Sequence, residues 1–196
     1  MQIHDSADVS STARIGHNVS IWHFTRVREG ASIGNQVNVG ANVYIGPSVI
    51  IGNRCKIQNG AQIFEPAILE DGVFIGPSVI LTNDRNPRSI NFDLTLKTDQ
   101  DWEKVGVVVC RGASIGAGAI CVAPIRIGSW SMIAAGSVVI SDTLDYSLMA
   151  GVPAKQIGWV GEFGVSLQNL EDAKWRCPKT GSLYEVSSAG TLKKIT

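Results

Sequence analysis

Residues 27–63 read VREGASIGNQVNVGANVYIGPSVIIGNRCKIQNGAQI, and an aliphatic residue stands at every sixth position from Val27 to Ile63. The pattern extends in both directions, so that every sixth position from Val9 to Leu81 is isoleucine, valine or leucine. Amphipathic helices repeat every 3.6 residues and half-buried strands every two, and neither explains a strict period of six. A short strand with one inward aliphatic side chain, followed by a tight turn, does explain it. The sequence therefore predicts an all-β chain of short strands that coils around an aliphatic core.

The period of six stops at Leu81 and resumes at Val109, from where it runs to Val139 with Cys121 in one aliphatic place. The interval from Leu81 to Val109 is not a multiple of six, so the segment between them is predicted to be a loop that leaves the coil. Loops of this length inside a compact domain are usually functional. The predicted organisation is a first set of coils (1–82), a loop excursion (83–108), a second set of coils (109–140) and an exit segment with a tail (141–196). We expect the tail to form a helix or a short hairpin that covers the open end of the coil.

Composition narrows the class of protein further. The 17 basic and 17 acidic residues cancel, so no net charge draws the chain to nucleic acid or to an anionic membrane. No apolar run is long enough for a transmembrane helix, and the first residues lack the pattern of a secretory signal. We therefore expect a cytoplasmic protein whose four separated cysteines are reduced, buried thiols.

The repeat resembles that of the hexapeptide-repeat acyltransferases, which fold as a left-handed parallel β-helix. The resemblance implies the left hand and a triangular coil made of three hexads. The hexads of this sequence then make about six coils, or a prism roughly 30 Å long at a strand spacing of about 4.8 Å.

Several segments are similar to a narrower group, the N-acetyltransferases of nucleotide-linked 3-amino sugars. These segments are 21–24 (IWHF), 40–46 (GANVYIG), 56–59 (KIQN), 69–78 (LEDGVFIGPS), 82–83 (TN), 86–88 (NPR) and 156–159 (QIGW). The resemblance implies acetyl-CoA as co-substrate, no metal, and a UDP-linked 3-amino uronic acid as acceptor in bacterial surface-polysaccharide (lipopolysaccharide) biosynthesis. It also implies a homotrimer whose active sites lie between neighbouring prisms.

Two candidate catalytic residues stand at the root of the excursion. Residues 18 apart stack on adjacent coils, so Glu65 and Asn83 should be neighbours in one column. The resemblance gives Asn83 the role of orienting the sugar amino group. Glu65 could act as a base or hold the ammonium form, and the CoA sulfur could equally take the proton. The structural alternatives are a solvated corner charge for Glu65 and a turn residue for Asn83.

The remaining candidates concern binding. Small residues at Ala117, Gly118, Ala134, Ala135 and Gly136 would let CoA approach the backbone, and Lys155 could meet a CoA phosphate. The substrate-binding candidates are His23, Asn42, Asn59, Arg85 and Arg88. An arginine offers a bidentate fork to a diphosphate or a carboxylate. The alternative for His23 is a corner histidine bonded to the backbone.

Other functions remain open at this stage. The same chemistry on a dTDP-linked 3- or 4-amino sugar fits the same residues. A non-catalytic β-helix scaffold is a second alternative, although a scaffold needs no long excursion. A γ-class carbonic anhydrase needs histidines in the later coils, and no histidine follows His23.

Overall fold

A computed structural model of the chain describes residues 2–196. The chain winds as a parallel β-solenoid with three faces, and each of the first six turns adds one short strand to each face. The first face contains Gln2–Ile3, Ser20–Ile21, Asn38–Val39, Lys56–Ile57, Phe74–Ile75, Ser114–Ile115, Met132–Ile133, Ser147–Gly151 and the antiparallel Ala154–Trp159. The second face contains Asp8–Val9, Arg26–Val27, Tyr44–Ile45, Gln62–Ile63, Ile80–Leu81, Ile120–Cys121 and Val138–Val139. The third face contains Arg14–Ile15, Ser32–Ile33, Ile50–Ile51, Ile68–Leu69, Val107–Val109 and Ile125–Ile127.

Strand register follows the sequence period. Ile45 pairs with Ile63, and Ile63 with Leu81, so each strand lies over the residue 18 positions earlier. The second residue of each two-residue strand points inward, which stacks Ile45, Ile63 and Leu81 in a fully buried column. β-Branched side chains suit this arrangement because they pack well on a pleated surface. The prediction of an all-β coil around an aliphatic core is confirmed.

The solenoid is longer than the sequence predicted. It has about eight turns instead of six, which is roughly 34 Å at a strand spacing of about 4.8 Å. Gln2–Ile3 adds a strand before the hexads that we counted. Ser147–Gly151 adds another after them, and its inner residue Met149 lies only 16 positions after its partner Ile133. The sequence pattern did not predict the last turn because its inward residue does not fall on the period of six.

Each of the three edges of the prism joins two faces. The first edge joins the first and second faces (residues 4–7, 22–25, 40–43, 58–61, 76–79, 116–119 and 134–137). The second edge joins the second and third faces (10–13, 28–31, 46–49, 64–67, the start of the excursion at 82, and 122–124). The third edge joins the third and first faces (16–19, 34–37, 52–55, 70–73, 110–113 and 128–131).

Side-chain oxygens bridge adjacent coils along these edges. On the third edge, Asn35 Oδ1 accepts the backbone N–H of His17 at 2.8 Å, and Asn53 Oδ1 accepts that of Asn35 at 2.9 Å. On the first edge, Asn59 Oδ1 accepts the N–H of Ala41 at 2.9 Å. These bonds satisfy backbone donors that the turns leave outside the strand ladders.

The excursion leaves the solenoid after Leu81 and returns at Val107. It contains an antiparallel bridge between Ile90 and Leu96 and a short 3₁₀ helix, Asp99–Asp101. The hydroxyl of Thr95 lowers the pKa of Asp93, and the backbone N–H of Thr98 lowers that of Asp101. Both carboxylates are therefore bound to turns within the excursion, whose tip exposes the apolar side chains of Phe92, Leu94 and Leu96.

The tail folds as an antiparallel sheet, so the predicted helix is wrong and the predicted hairpin is the better description. Its strands are Gln168–Asn169, Lys174–Arg176, Leu183–Val186 and Leu192–Lys194. The sheet has a separate small core of Trp159, Leu167, Cys177, Tyr184 and Leu192. Tyr146 from the exit segment packs edge-on against Tyr184, and burial raises the pKa of Tyr146 to about 12.

All four cysteines are free and buried. Burial raises the pKa of the Cys121 thiol to about 12, as expected for a thiol that fills an aliphatic place in the core.

Candidate active site

Glu65 and Asn83 lie on adjacent coils at the second edge. The strands that end two residues before them pair in register, Gln62 with Ile80 and Ile63 with Leu81. Both residues are half-buried, and the excursion begins at this point. Within residues 2–196, the side-chain amide of Asn83 makes no hydrogen bond, so it remains able to bind a ligand.

The Glu65 carboxylate occupies the place that bridging side chains take elsewhere in the solenoid. A Cβ added at Gly46 would collide with Glu65 Oε2, just as one added at Gly52 would collide with Asp71 Oδ1. Asp71 Oδ1 accepts the N–H of Asn53, the residue after that glycine, at 2.7 Å. The residue after Gly46 is Pro47, which has no N–H.

The proline leaves one carboxylate oxygen without a donor. Glu65 Oε2 is buried and has no hydrogen-bond partner among residues 2–196. A buried acceptor without a partner costs roughly 1–3 kcal/mol, and more when the group is charged. This oxygen is therefore a free acceptor, which the edge holds over Gly46, and Asn83 lies on the coil that follows Glu65.

The cofactor-binding candidates gather at the other end of the second face, on the first edge. Gly118 and Gly136 both have positive φ values, +66° and +70°, and a Cβ at either would meet nothing within 4 Å. Ala134 and Ala135 line an apolar cavity of about 320 Å³ with Phe74, Met132 and Leu148. Ala117 precedes Gly118 on the same edge. The residues present therefore leave room for a thin, partly apolar chain against the backbone, which is what the pantetheine arm of CoA requires.

Lys155 lies beyond this group, in the exit hairpin. It is exposed and pairs with Ala150, which continues the first face past Ile133. Its position at the C-terminal end of the first edge allows it to meet a phosphate of a ligand that runs along that edge.

The substrate-binding candidates divide between the two edges. His23, Asn42 and Asn59 lie on the first edge, where the Oδ1 of Asn59 is already bonded to Ala41 and its Nδ2 remains available. Arg85 and Arg88 are exposed on the excursion and line a small cavity of about 290 Å³. The candidates thus form two groups, one with Glu65 and Asn83 at the second edge and one at the first edge.

The fold and the two groups of residues can be compared with known proteins. Residues 12–47 and 30–65 match the family model for the bacterial transferase hexapeptide (six repeats). Within residues 12–65, the sequence therefore matches this hexapeptide repeat. In each hexapeptide of this chain, the inward aliphatic residue closes the strand and the following residues form the edge.

Two curated relatives match part of the hexapeptide region. The dTDP-3-amino-3,6-dideoxy-alpha-D-galactopyranose 3-N-acetyltransferase of Aneurinibacillus thermoaerophilus is 41% identical over 73 residues, which is 37% of this chain and 38% of that protein. Serine acetyltransferase 4 of Arabidopsis thaliana is 44% identical over 62 residues, or 32% of this chain and 18% of that protein. The match thus spans less than two fifths of either relative.

Solved structures share the architecture. An N-acyltransferase variant from Bacillus cereus, in complex with dTDP and coenzyme A, is 22% identical with a TM-score of 0.50, and the alignment covers 80% of each chain. A hexapeptide transferase family protein from Anaplasma phagocytophilum is 19% identical with a TM-score of 0.54, over 80% of this chain and 81% of that one. At these identities the likeness concerns the hexapeptide solenoid alone.

Sequence reasoning missed two features of the candidate site. It placed Glu65 in the column of Asn83 but did not notice that Pro47 lies one coil before Glu65 in that column. It also did not anticipate the exposed aromatic side chains at Trp22 and Phe24. The first signal was present in the sequence, as a proline where the columns bridged by Asn35, Asn59 and Asp71 have an N–H donor.

Among residues 2–196, no helix has the length and apolar character needed to cross a membrane.

Proposed function

We propose that this chain is an acetyl-CoA-dependent N-acetyltransferase that acts on the amino group of a nucleotide-linked 3-amino sugar in surface-polysaccharide biosynthesis. The observation that carries the proposal is the free, buried oxygen of Glu65, together with the unbonded amide of Asn83 on the next coil of the same edge. An amine or ammonium group supplies the hydrogen-bond donors that both acceptors lack. The relative from Aneurinibacillus thermoaerophilus, named as an acetyltransferase of a 3-amino sugar, supports this substrate class.

The proposed reaction is a direct acetyl transfer. The sugar amine, held by Asn83 Oδ1 and the Glu65 carboxylate, attacks the thioester carbonyl carbon of acetyl-CoA. The new C–N bond forms, the C–S bond breaks, and the CoA sulfur takes the proton that the nitrogen releases. No strong base is needed because an ordinary α-amine has a pKa of about 7.7–8.0 and is partly free at neutral pH. Rate enhancement then comes mainly from proximity and orientation.

The site needs more than one copy of the chain. The acceptor candidates Glu65 and Asn83 lie at the second edge, whereas the room for CoA lies at the first edge of the same prism. Six residues separate neighbouring edges, which is at most roughly 20 Å. A homotrimer in which the second edge of one copy meets the first edge of the next unites the two groups, with each ligand bound between copies.

The more specific part of the proposal is the identity of the nucleotide and of the sugar. The resemblance of the segments around Trp22, Asn83 and Trp159 favours a UDP-linked 3-amino uronic acid. The name of the relative from Aneurinibacillus thermoaerophilus favours a dTDP-linked 3-amino-3,6-dideoxy sugar. Both sugars carry the amino group that the Glu65–Asn83 pair would hold, and the two nucleotide sugars differ at the nucleobase, at the 2′ position of the pentose and at C6 of the amino sugar.

The test is an assay of free thiol released from acetyl-CoA with a panel of UDP- and dTDP-linked 3-amino and 4-amino sugars. We expect turnover with a 3-amino sugar and little with a 4-amino sugar. Asn83→Ala should lower kcat/KM at least about 100-fold, because a misplaced nucleophile costs about that factor. Sedimentation of the variant as the same oligomer as wild type is the control for folding.

Two results would overturn the proposal. Full kcat/KM in Asn83→Ala would remove Asn83 from the site. A folded oligomer that neither binds acetyl-CoA nor releases thiol with any sugar of the panel would favour the non-catalytic scaffold.

A further inference from the structure

An exposed aromatic cluster lies at the N-terminal end of the first edge. Trp22 is 36% exposed and Phe24 is 68% exposed, and His23 between them is also exposed. The aromatic side chains thus face outward from the edge, whereas the residues that follow Phe24 in its column are Asn42, Gly60 and Ser78.

The cluster is held rigidly although it is exposed. The indole Nε1 of Trp22 donates to Asn38 Oδ1 at 3.0 Å, which fixes the plane of the ring. The ring of His23 lies within 11° of the plane of Trp22, and His4 supports it from the preceding coil with ring centroids 3.6 Å apart. Phe24 occupies the left-handed corner position, with a φ of 56°. An exposed apolar patch marks an interaction site, and an aromatic face offers a planar partner favourable stacking.

The cluster lies at a definite height relative to the proposed acceptor site. Phe24 is three coils before Ser78, and Ser78 is on the same turn of the solenoid as Asn83. Three coil spacings amount to roughly 14 Å along the prism axis. Gly118 lies one coil beyond Ser78 in the opposite direction, followed by Gly136. Counted along the axis, the amine site therefore has aromatic side chains on one side and open glycines on the other.

This order along the axis fits two ligands that meet end to end. The glycine side has room for CoA, so the other ligand extends toward the aromatic side. In a nucleotide-linked sugar, a diphosphate separates the reacting sugar from the base, and a distance of roughly 14 Å matches an extended molecule of that kind. We propose that Trp22, His23 and Phe24 stack against the nucleobase of the nucleotide-linked sugar. The proposal rests on the proposed function and adds the subsite that binds the nucleotide.

Stacking explains why the surface is aromatic and not charged. Every base has a π-face, and stacking on aromatic side chains tolerates different bases. The cluster therefore binds uracil and thymine alike, and selection between UDP and dTDP has to come from contacts elsewhere. Asn42, one coil from Phe24 and without a side-chain hydrogen bond within the described part of the chain, is placed to contact the nucleotide beyond the base.

The test measures binding of UDP, of dTDP and of acetyl-CoA by calorimetry to the full chain and to Phe24→Ala and Trp22→Ala. Phe163→Ala is the matched control, because Phe163 is similarly exposed but lies in the tail segment. We expect each variant of the cluster to raise the Kd of both nucleotides about 5- to 150-fold, the range for loss of one base–aromatic stack. The Kd of acetyl-CoA should stay unchanged, and Phe163→Ala should bind all three ligands as wild type does.

Three outcomes would overturn the proposal, and they can be told apart. If wild type binds the nucleotides and both variants bind them equally well, the base lies elsewhere while the proposed function stands. If the variants dissociate into monomers but acetyl-transfer KM for the nucleotide sugar is unchanged at high protein concentration, the cluster is a contact between copies, for instance with Phe92 of the excursion. If wild type binds no nucleotide and transfers no acetyl group, the proposed function itself fails.

Discussion

Two corners of the solenoid place a side-chain oxygen in the same position, but only one of the two oxygens accepts a hydrogen bond. At the first edge, Asn59 folds back over Gly40 and its Oδ1 accepts the N–H of Ala41. At the second edge, Glu65 folds back over Gly46 in the same way, but Pro47 offers nothing to its Oε2. One corner uses its side-chain oxygen to hold two coils together, and the other leaves an oxygen free. A single proline in a regular repeat can thus leave one polar group without its internal partner and available for binding, while the backbone keeps the same path.

Of the substitutions that test the difference between the two corners, Glu65→Gln should have the largest effect on kcat/KM. The amide keeps the shape of the side chain but removes the charge that would bind the amine. A hydrogen bond to a charged group contributes about 1.5–3 kcal/mol, so kcat/KM should fall about 10- to 150-fold. Steady-state kinetics with the nucleotide sugar measure this, and thermal unfolding should show no loss of stability because an unpartnered buried charge has been removed.

An unchanged kcat/KM for Glu65→Gln would mean that the free oxygen at this corner has no part in the reaction. Glu65 would then be an unpaired corner residue without a role in the reaction.

A smaller effect is expected from Pro47→Ala, which converts the second corner into a copy of the first. The new N–H at position 47 can donate to Glu65 Oε2. The gain of a charged hydrogen bond, about 1.5–3 kcal/mol, exceeds the roughly 0.4–1 kcal/mol lost with the proline, so stability should rise by about 1 kcal/mol. We expect kcat/KM to fall by about tenfold or less, because the oxygen is no longer free.

The double variant with Pro47→Ala and Glu65→Gln tests whether Pro47 acts through Glu65. If Pro47 acts through the Glu65 oxygen, Pro47→Ala should have little further effect on kcat/KM in a Glu65→Gln background. Additive losses would show that Pro47 acts by another route.

The smallest effect is expected at the third edge, from Asn53→Ala. This change removes the acceptor for the N–H of Asn35, a 2.9 Å bond, in a column that has no place in the proposed site. We expect a loss of about 1 kcal/mol in unfolding free energy with kcat/KM unchanged. Urea denaturation and the thiol assay together measure both quantities, and a matching loss of activity would instead place the third edge in the site.

The sequence predicted those parts of the fold that depend on the period of six. Val9 to Leu81 lie where the hexads place them, because each inward aliphatic residue packs only on the coils before and after it. The strand around Met149 was not predicted, since its spacing of 16 residues breaks the period. The tail sheet was not predicted in detail either, because its small core around Tyr184 draws on residues with no regular spacing.

The candidate site was predictable only in part, for similar reasons. The stacking of Glu65 under Asn83 followed from the 18-residue turn alone. Whether the Glu65 oxygen has a hydrogen-bond donor depends on a residue one coil away. Whether Trp22 and Phe24 are exposed depends on the orientation of their side chains at the first edge. Properties of this kind belong to the assembled solenoid and cannot be derived from one hexad at a time.

The excursion has a consequence for how such a chain can change. Ile68 pairs with Val108 in the same register in which Ile50 pairs with Ile68, although the first interval contains the whole excursion. The solenoid therefore closes beneath the inserted segment as if it were absent. Grafting a different segment between Leu81 and Val107 would leave the inward residues untouched while replacing much of the surface beside Asn83. One scaffold could in this way evolve toward a succession of acceptor molecules, with each exchange confined to a single corner.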